Sequence, residues 1–506
     1  MITAHLWSQS FWDCATEGYI IFVEEGMEKY WPEDAFGHIE KRYYPRLKEL
    51  LAKHAFEGKL SQTFVLTAEN NGTLMQIIFV GVGKAQTNHA KQIEQYRRAM
   101  GSAVGIMKKL SIKTACCTVP STAPERLTGN DILQNLVTIA RMASYEFIHF
   151  KTDKQKQKND AYSLYFAVHD TPNNQMAIKA GNIIGAAINQ ARHWADLPGN
   201  IMTPTALSLE AEKIAKKHSL KSTIFGREKA LELGMGGFCA VDAGSDQDGK
   251  FVVIEYKAQS PNAPTIALCG KGVTFDTGGI SLKPASSMEG MKFDMSGAAA
   301  VLAVIDVIAQ LKPDINVIAL APMVENMPSG KATRQDDVIT AMNGKTIEIQ
   351  NTDAEGRLIL ADTLCYAEKF YNPSVIIDIA TLTGACAYAL GHFYTALLTQ
   401  NDELSQKLQA SGLNTGDKVW PLPFDDDFKK ANKSEVADVQ NSGARAYLAG
   451  TIIGACFLSL FVEKTPWAHL DIAGTAHEVP DINYLSRGST GAGVRLLVDY
   501  ILNYKQ

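Results

Sequence analysis

Short, nearly continuous apolar runs separated by helical patterns are the feature that most restricts the fold of this chain. Such runs are typical of strands buried on both faces of a largely parallel sheet. Five of them stand in the second half of the chain: FVVIEY (251–256), TIALCG (265–270), NVIALAP (316–322), SVIIDIATLTG (374–384) and WAHLDIAG (467–474). Helical patterns alternate with them, including GAAAVLAVIDVIAQL (297–311), GRLILADTLCYAEKF (356–370) and AGTIIGACFLSLFVEK (449–464). This alternation predicts repeated strand–helix units.

The first 165 residues predict a separate, smaller α/β domain. Strand patterns at 63–68, 75–83 and 112–120 alternate with a helical pattern at 88–110. The polar segment KTDKQKQKND (151–160) indicates a solvated loop or linker. A segment that contacts nucleic acid is the more specific alternative. We therefore expect an α/β protein of two domains. They are a small N-terminal α/β domain (1–165), a linker helix region (166–199), and a larger C-terminal domain (200–506) with a mostly parallel, helix-flanked sheet.

Composition and local sequence patterns argue against several classes of protein. The 506 residues carry a formal net charge of −5, so no global basic field favours nucleic acid. The eight cysteines are scattered without a CxxC pair, which indicates reduced thiols rather than disulfides or Cys–zinc ligation. The N-terminus lacks the pattern of a secretory signal. The longest apolar run, Ala298 to Leu311, is shorter than a membrane helix and contains Asp306. We expect a cytoplasmic protein without a membrane segment.

The stretch from Lys271 to Arg357 concentrates the groups that can carry chemistry. It contains four carboxylates and two lysines besides Arg357: Asp276, Asp294, Asp353, Glu355, Lys271 and Lys283. Carboxylates brought close together repel one another unless cations neutralise them. Two divalent ions about 3.5–4 Å apart would do so and would form a hydrolytic site. No HExxH or cysteine cluster is present, so the ligands would be mainly oxygen, which suits Mn²⁺ or Mg²⁺ as well as Zn²⁺.

Each of these residues also has an ordinary structural interpretation. The acids of NTDAEGRL alone could be a solvated turn that begins a helix. Lys271 alone could bind phosphate, but Gly272 stands where a P-loop needs Ser or Thr. The GxG of GVGKA (81–85) is more simply a turn after a strand, and His469 is more simply a core or interface histidine. Thr274 and Ser281 have no adjacent His–Asp pair that would support a Ser-His-Asp mechanism.

Three motifs in this stretch closely resemble signature blocks of the leucine aminopeptidase (cytosol aminopeptidase) family: GKGVTFDTGGISLKP, MKFDMSGAAAV and NTDAEGRLILAD. Shorter matches are DLPGNIMTP (196–204), ATLTGA (380–385), WPLP (420–423) and HLDIAG (469–474). The resemblance covers most of residues 190–500, whereas the first 165 residues match only in general character. It implies an exopeptidase that releases N-terminal amino acids, often Leu, from peptides.

Carried over residue by residue, the resemblance implies two metal sites that share ligands. Lys271, Asp276, Asp294 and Glu355 would hold the tighter ion. Asp276, Asp353 and Glu355 would hold the exchangeable one, so Asp276 and Glu355 would bridge. The ions would be Mn²⁺ or Zn²⁺, with Mg²⁺ as an alternative at the exchangeable site. Lys283 would act as the electrophile, and Arg357 would bind a bicarbonate that serves as general base toward the bridging water.

The resemblance also implies a pocket, an assembly and a rival function. Small or apolar residues would line the pocket for the first side chain: Met291, Thr381, Leu382, Gly384 and Ala473. Family members are homohexamers, so we expect self-association. Some bacterial members also bind DNA, which the net charge does not favour. A nucleotide-binding protein that uses Lys271 on phosphate is a second rival.

Overall fold

The computed structural model describes residues 1–26, 33–70, 72–120, 129–152, 161–443 and 448–504. Its chain forms two compact units. The first comprises Met1–Asn189 with Asp481–Ser486, and the second comprises Gln190–Pro480 with Arg487–Gln506. The expected linker at 151–160 lies outside the described residues from 153 onward.

The first unit is built on one six-stranded sheet. Its strands are β1 (Ile2–Trp7), β2 (Gly18–Glu24), β3 (Thr63–Asn70), β4 (Thr73–Gly83), β5 (Thr114–Cys117) and β6 (Tyr162–Ala167). Its helices are α1 (Glu33–Arg42), α2 (Leu47–Lys53), α3 (His89–Lys109), α4 (Gly129–Ala143) and most of α5 (Pro172–Asp196). The sheet order is β1-β6-β5-β2-β4-β3, and only the β3–β4 pair is antiparallel. This unit therefore has the α/β architecture that its sequence pattern predicts.

Strands of the second unit form a nine-stranded and a three-stranded sheet. They are β7 (Lys221–Phe225), β8 (Lys250–Tyr256), β9 (Thr265–Gly270), β10 (Gly272–Asp276), β11 (Asn316–Asn326), β12 (Val338–Thr340), β13 (Thr346–Glu348), β14 (Val375–Ala380), β15 (Thr395–Leu398), β16 (Val419–Pro421), β17 (Val439–Gln440) and β18 (Trp467–Asp471). The large sheet runs β16-β15-β18-β14-β9-β11-β8-β7, with β10 paired to β11, and the small one runs β12-β13-β17.

Helices of the second unit connect these strands. They are α6 (Pro204–His218), α7 (Arg227–Glu232), α8 (Gly236–Asp242), α9 (Ala285–Met288), α10 (Ser296–Leu311), α11 (Gly356–Tyr371), α12 (Ala385–Leu390), α13 (Asp402–Thr415), α14 (Asp426–Lys429), α15 (Gly450–Ser459) and α16 (Val494–Leu502). Short 3₁₀ turns occur at Phe11–Asp13, Met291–Met295 and Lys430–Asn432.

The centre of the large sheet is parallel and buried, as the apolar runs predict. Strands β18, β14, β9 and β11 run parallel, while β15 and β8 flank them in antiparallel orientation. All six residues of β14 are buried. A Cβ at Gly270 would meet the backbone of α10, whereas the next side chain, Lys271, reaches α11 at Gly356. Because successive residues of a strand point to opposite faces, helices cover both faces of the sheet.

One helical stretch of the described residues is longer than the sequence alone suggested. Met291–Leu311, with mean hydropathy 1.6, is long and apolar enough to cross a membrane by length and composition. It exceeds the expected run Ala298–Leu311 because a 3₁₀ turn joins α10. However, 83% of its most apolar window is buried inside the structure. Burial of this kind is typical of the core helix of an α/β domain, and α10 packs on β9, β11 and β14.

Candidate metal centre

The candidate site lies where five neighbouring strands end. Lys271 directly follows β9, Asp276 ends β10, Asn326 ends β11, Thr381 follows β14, and Asp471 ends β18. The pairings β9–β11, β10–β11, β9–β14 and β14–β18 are all parallel, so these carboxyl ends meet at one edge of the sheet. Ligands of open α/β sheets bind at this edge.

The remaining acids come from two loops that reach the same edge. Asp294 lies in the 3₁₀ turn Met291–Met295, and Asp353 and Glu355 precede α11. Glycines make this convergence possible. A Cβ at Gly356 would lie 2.6 Å from Lys271 Cε. Gly278 has φ +86°, and a Cβ there would lie 2.5 Å from Ser281 O. A side chain at either position would push the loops apart.

Two lysines are interleaved with the four acids. Lys271 Nζ lies 2.8 Å from both Asp294 Oδ1 and Glu355 Oε1, and it donates a 2.9 Å hydrogen bond to Thr381 O. Lys283 Nζ lies 2.9 Å from Asp276 Oδ2 and also contacts Asp353 Oδ1. The structure therefore brings together all six of the acids and lysines that the sequence singled out.

The charges of the cluster do not balance. Four carboxylates face two ammonium groups, and Lys271, Asp276, Asp294 and Glu355 are all buried. Asp294 Oδ2 and Glu355 Oε2 are buried without a hydrogen-bond partner among the described residues. One oxygen each from Asp276, Asp353 and Glu355 lie within 4.8 Å of one another, close enough to hold one metal ion. The donor set fits hard divalent cations, which would supply the missing positive charge.

The pKa directions agree with this charge imbalance. Burial raises the pKa of the Asp294 and Glu355 carboxyls, and neighbouring acids raise it further, although Lys271 opposes them. Burial lowers the pKa of Lys271, but Asp294 and Glu355 outweigh that effect and raise it overall. Lys271 can therefore act as a neutral ligand only where a dication displaces its proton.

Arg357 adds a buried cation next to the acids. It is the second residue of α11, and its Nη1 donates a 2.6 Å hydrogen bond to Asn441 O. Its Nε is buried without a hydrogen-bond partner in the described part of the chain. Burial lowers the pKa of Arg357 to about 10, against the opposing effect of Glu355 and Asp471. A buried N–H donor of this kind can bind a small anion.

Two domain models of one protein family together match most of this chain. The cytosol aminopeptidase family's catalytic domain matches residues 189–498, and the same family's N-terminal domain matches residues 20–154. The chain belongs to the cytosol aminopeptidase family. It is therefore an aminopeptidase, a metal-dependent hydrolase, as the motifs around Lys271 and Glu355 imply.

Individual relatives agree with this membership. A probable cytosol aminopeptidase of Alkaliphilus oremlandii (strain OhILAs) is 40% identical over 456 residues, which are 89% of this chain and 90% of the relative. One from Roseiflexus castenholzii is 38% identical and covers 91% and 93%. A solved structure, the bottromycin maturation enzyme BotP in complex with Mn, has a TM-score of 0.84 at 29% identity. The superposition covers 96% of this chain and 99% of the BotP chain.

Three of the residues expected around the first side chain have defined bonds in this aminopeptidase. Thr381 Oγ1 donates a 2.7 Å hydrogen bond to Asp294 Oδ1. The backbone N–H groups of Leu382 and Ala473 both donate to Asp471 Oδ1, at 3.1 Å. Of the other two, Met291 opens the 3₁₀ turn that carries Asp294, and Gly384 directly precedes α12.

Three residues that hydrogen-bond to the site were not predicted from the sequence. Asn326 Nδ2 donates to Asp276 Oδ1 at 2.8 Å and to Thr352 O at 3.0 Å. Asn441 O accepts a hydrogen bond from Arg357, and Asn441 Nδ2 donates one to Asn351 O. The Asp471 carboxylate accepts from the backbone N–H groups of Leu382 and Thr383. Asp471 lies inside the HLDIAG motif, which could have signalled it. No local pattern marks Asn326 or Asn441, because their partners lie far away in the chain.

Proposed function

We propose that this aminopeptidase releases N-terminal residues from peptides, with a preference for Leu and similar apolar residues, at a pair of divalent ions. The observation that carries the proposal is the buried cluster of four carboxylates and two lysines, in which Asp294 Oδ2 and Glu355 Oε2 have no partner among the described residues. The match to the cytosol aminopeptidase family supports it.

In this proposal the ligands divide between two ions. Lys271, Asp276, Asp294 and Glu355 hold the tighter ion. Asp276, Asp353 and Glu355 hold the exchangeable one and have ligand atoms within 4.8 Å of one another. A pair of such ions lowers the pKa of a bound water and polarises a carbonyl oxygen. The solved complex of BotP with Mn supports Mn²⁺, with Zn²⁺ and, at the exchangeable site, Mg²⁺ as alternatives.

Two cationic side chains complete the proposed chemistry. Lys283 is less buried than Lys271, and its Nζ contacts both Asp276 and the partly exposed Asp353. There it donates to the carbonyl oxygen of the first residue and stabilises the negative charge that develops on it. Arg357, with its buried Nε free to donate to an anion, binds bicarbonate. This bicarbonate takes a proton from the attacking water and acts as the general base.

Substrate preference follows from the residues beside the acids. Met291, Thr381, Leu382, Gly384 and Ala473 offer small or apolar surface to the first side chain, and they offer it no charge. The free amine of the substrate lies near Asp294, which explains why only amino ends are cut. We also propose that the protein works as a homohexamer. We propose a cytoplasmic location as well, which the word cytosol in the family's name supports.

Metal removal and replacement tests the proposal. We expect EDTA to abolish hydrolysis of leucinamide and leucine p-nitroanilide, and Mn²⁺, Zn²⁺ or Mg²⁺ to restore it to different extents. Asp353→Asn should lower both metal content, measured by mass spectrometry of the purified protein, and hydrolysis. Asp248→Asn is the matched control, because the Asp248 side chain is 88% exposed and lies outside the cluster. If Asp353→Asn retains two ions and the wild-type rate, the assignment of ligands is wrong.

A further inference from the structure

A buried histidine pairs with a buried acid in the middle of the large sheet. His469 of β18 and Asp378 of β14 are both 0% exposed, and His469 Nδ1 lies 2.6 Å from Asp378 Oδ1. Trp467 Nε1 donates a 2.7 Å hydrogen bond to the other oxygen, Asp378 Oδ2. The rings of Trp467 and His469 lie nearly parallel, with 17° between their planes. These contacts fix the His469 ring and the direction of its second nitrogen, Nε2.

This second nitrogen is an unpaired polar atom in the core. His469 Nε2 is buried and has no hydrogen-bond partner in the part of the chain that the structure describes. Buried polar atoms are nearly always hydrogen-bonded, because leaving one unpaired costs free energy. Burial lowers the pKa of His469, but Asp378 outweighs that effect and raises it overall. A protonated imidazole donates from both nitrogens, so the Nε2–H group needs an acceptor.

The strand register places His469 on the face of the sheet that α11 covers. Asp378 pairs with His469 in β18 and with Cys269 in β9. Lys271 follows Cys269 by two residues, points to the same face and reaches the start of α11. Arg357 is the second residue of that helix. His469 and Arg357 therefore belong to two layers that pack against each other.

Arg357 offers a second buried donor toward this face. Its Nε also lacks a hydrogen-bond partner among the described residues. The positive charge of Arg357 acts on His469 and lowers the pKa of the imidazole, against the effect of Asp378. A Cβ at Gly454 of α15 would lie 3.5 Å from Arg357 Nη2, and α15 packs on β18. The guanidinium thus extends from α11 toward the strand that carries His469.

The acids near His469 already have donors of their own. Besides Arg357, the charges of Asp378 and Asp471 act on His469. Trp467 and His469 Nδ1 occupy the two oxygens of Asp378. Asp471 accepts from the backbone N–H groups of Leu382 and Thr383 and from the Thr383 hydroxyl. Two cationic donors that remain unpaired match a small oxyanion, which can accept from both.

We propose that His469 is a second donor to the anion that Arg357 binds, with His469 Nε2–H and Arg357 Nε–H on two oxygens of one bicarbonate. The inference rests on the proposed function and adds a binding residue from β18 to the group that serves as general base. It also accounts for the His469–Asp378 pair, because a charged pair in a protein core is a costly way to gain stability alone.

The test separates the two ring nitrogens of His469. An Asn side chain places its amide near the position of Nδ1 and puts nothing at Nε2, whereas a Gln side chain places its amide near Nε2. His469→Asn therefore keeps a bond to Asp378 and removes the anion donor, and His469→Gln does the opposite. His218→Asn is the matched control. His218 Nε2 lies 2.7 Å from Asp306 Oδ1 of α10, the helix on the opposite face of the sheet.

The first readout is the bicarbonate concentration that gives half of the full rate of leucinamide hydrolysis. It is measured on the metal-loaded enzyme in buffer freed of carbon dioxide. We expect this concentration to rise about tenfold or more in His469→Asn, the usual effect of losing a hydrogen bond to a charged group. It should stay near the wild-type value in His469→Gln and in His218→Asn. The kcat at saturating bicarbonate should change little in any of the three variants.

The second readout is independent of activity. A ligand that binds only the folded protein raises its melting temperature. We expect bicarbonate, compared with an equal concentration of chloride at the same pH, to raise the melting temperature of the wild type, His469→Gln and His218→Asn. The rise should be much smaller in His469→Asn.

Two results would overturn the inference. One is a half-activating concentration in His469→Asn equal to that of the wild type. The other is a loss of bicarbonate affinity in His469→Gln as large as that in His469→Asn or larger, because the bond to Asp378 would then be the one that matters. If His469→Asn does not fold, His469→Gln decides alone: affinity near the wild-type value supports the inference, and a loss of about tenfold overturns it.

Failure of the proposed function gives a different pattern. The wild type would then not hydrolyse leucinamide with metal bound, or its rate and melting temperature would not respond to bicarbonate, and the inference would fall with it. Failure of the inference alone leaves the wild-type hydrolysis and its response to bicarbonate intact and appears only in the His469 variants.

Discussion

Lys283 lies between two acids that the proposed site needs as ligands. Burial lowers the pKa of Lys283, but Asp276 and Glu355 outweigh that effect and raise it, so the side chain stays protonated at neutral pH. A protonated lysine donates hydrogen bonds and cannot ligate a metal. Lys271 shares this raised pKa, but the Lys283 side chain is the more exposed of the two, at 14% against 3%, which favours the role of electrophile for Lys283.

Lys283→Ala should lower kcat for leucinamide by about 10²–10³, the usual effect of removing one donor that stabilises an oxyanion. Metal content should remain at two ions per chain, because the ligand oxygens are unchanged. Lys331→Ala, an exposed lysine of the same unit, is the control and should have the wild-type kcat. Loss of metal from the Lys283 variant, measured on the purified protein, would instead make Lys283 a ligand.

At the scale of elements, one buried acid joins three segments. Asp362 of α11 is fully buried, and its Oδ2 accepts from Phe238 N at 2.9 Å while its Oδ1 accepts from Met342 N at 2.8 Å. Phe238 belongs to the first turn of α8, whose N-cap residue Met235 makes no side-chain hydrogen bond. A carboxylate from another helix thus satisfies a backbone donor that the helix start leaves free.

This arrangement predicts a pH dependence of stability. Burial raises the pKa of Asp362 to about 7, although the backbone donors oppose it. Because the folded protein then holds a proton that the unfolded chain releases near pH 4, the contribution of Asp362 to the free energy of unfolding is largest below pH 4. It falls as pH rises toward 7, by up to about 4 kcal/mol. Asp362→Asn cannot titrate, so its melting temperature should fall less than that of the wild type between pH 5 and 8. Parallel curves for the two proteins would contradict the prediction.

The same elements show what the sequence could predict. Apolar runs predicted β8, β9, β11, β14 and β18 because these strands are buried on both faces, and the expected α/β class is confirmed. Strands of three residues, such as β12 and β16, leave no such run. Asp362 stands in a helical pattern in which a lone acid indicates a solvated face, and only the packing of α8 against α11 explains its burial.

The site was predictable to the extent that its residues stand in motifs. The motifs that contain Lys271, Asp294 and Glu355 are each continuous in sequence. The structure brings Lys271 to ion-pair distance of both acids. The hydrogen bonds of Asn326 to Asp276 and of Arg357 to Asn441 were not predictable. The two partners lie 50 residues apart in the first bond and 84 in the second. The metal-binding and catalytic roles stay predictions until they are measured.

At the scale of the whole molecule, exposed apolar side chains of the second unit agree with the proposed assembly. Tyr388 on α12 is 96% exposed, and Trp420 is 53% exposed on β16, the outermost strand of the large sheet. Apolar surface at an edge strand is a liability in an isolated chain, since an open edge can pair with other chains. Assembly with further copies of this chain would cover such positions.

The mass of the protein in solution tests the assembly. Light scattering after size-exclusion chromatography should give about six times the chain mass of 55.2 kDa. Tyr388→Asp should lower this mass, because a charge at a buried interface position is costly without a partner. Leu231→Asp is the control on α7, where Leu231 is 59% exposed, and it should leave the mass unchanged. A wild-type mass near that of one chain would show that a single copy is the working form. A Tyr388→Asp variant that keeps the wild-type mass would place the contacts between copies elsewhere on the chain.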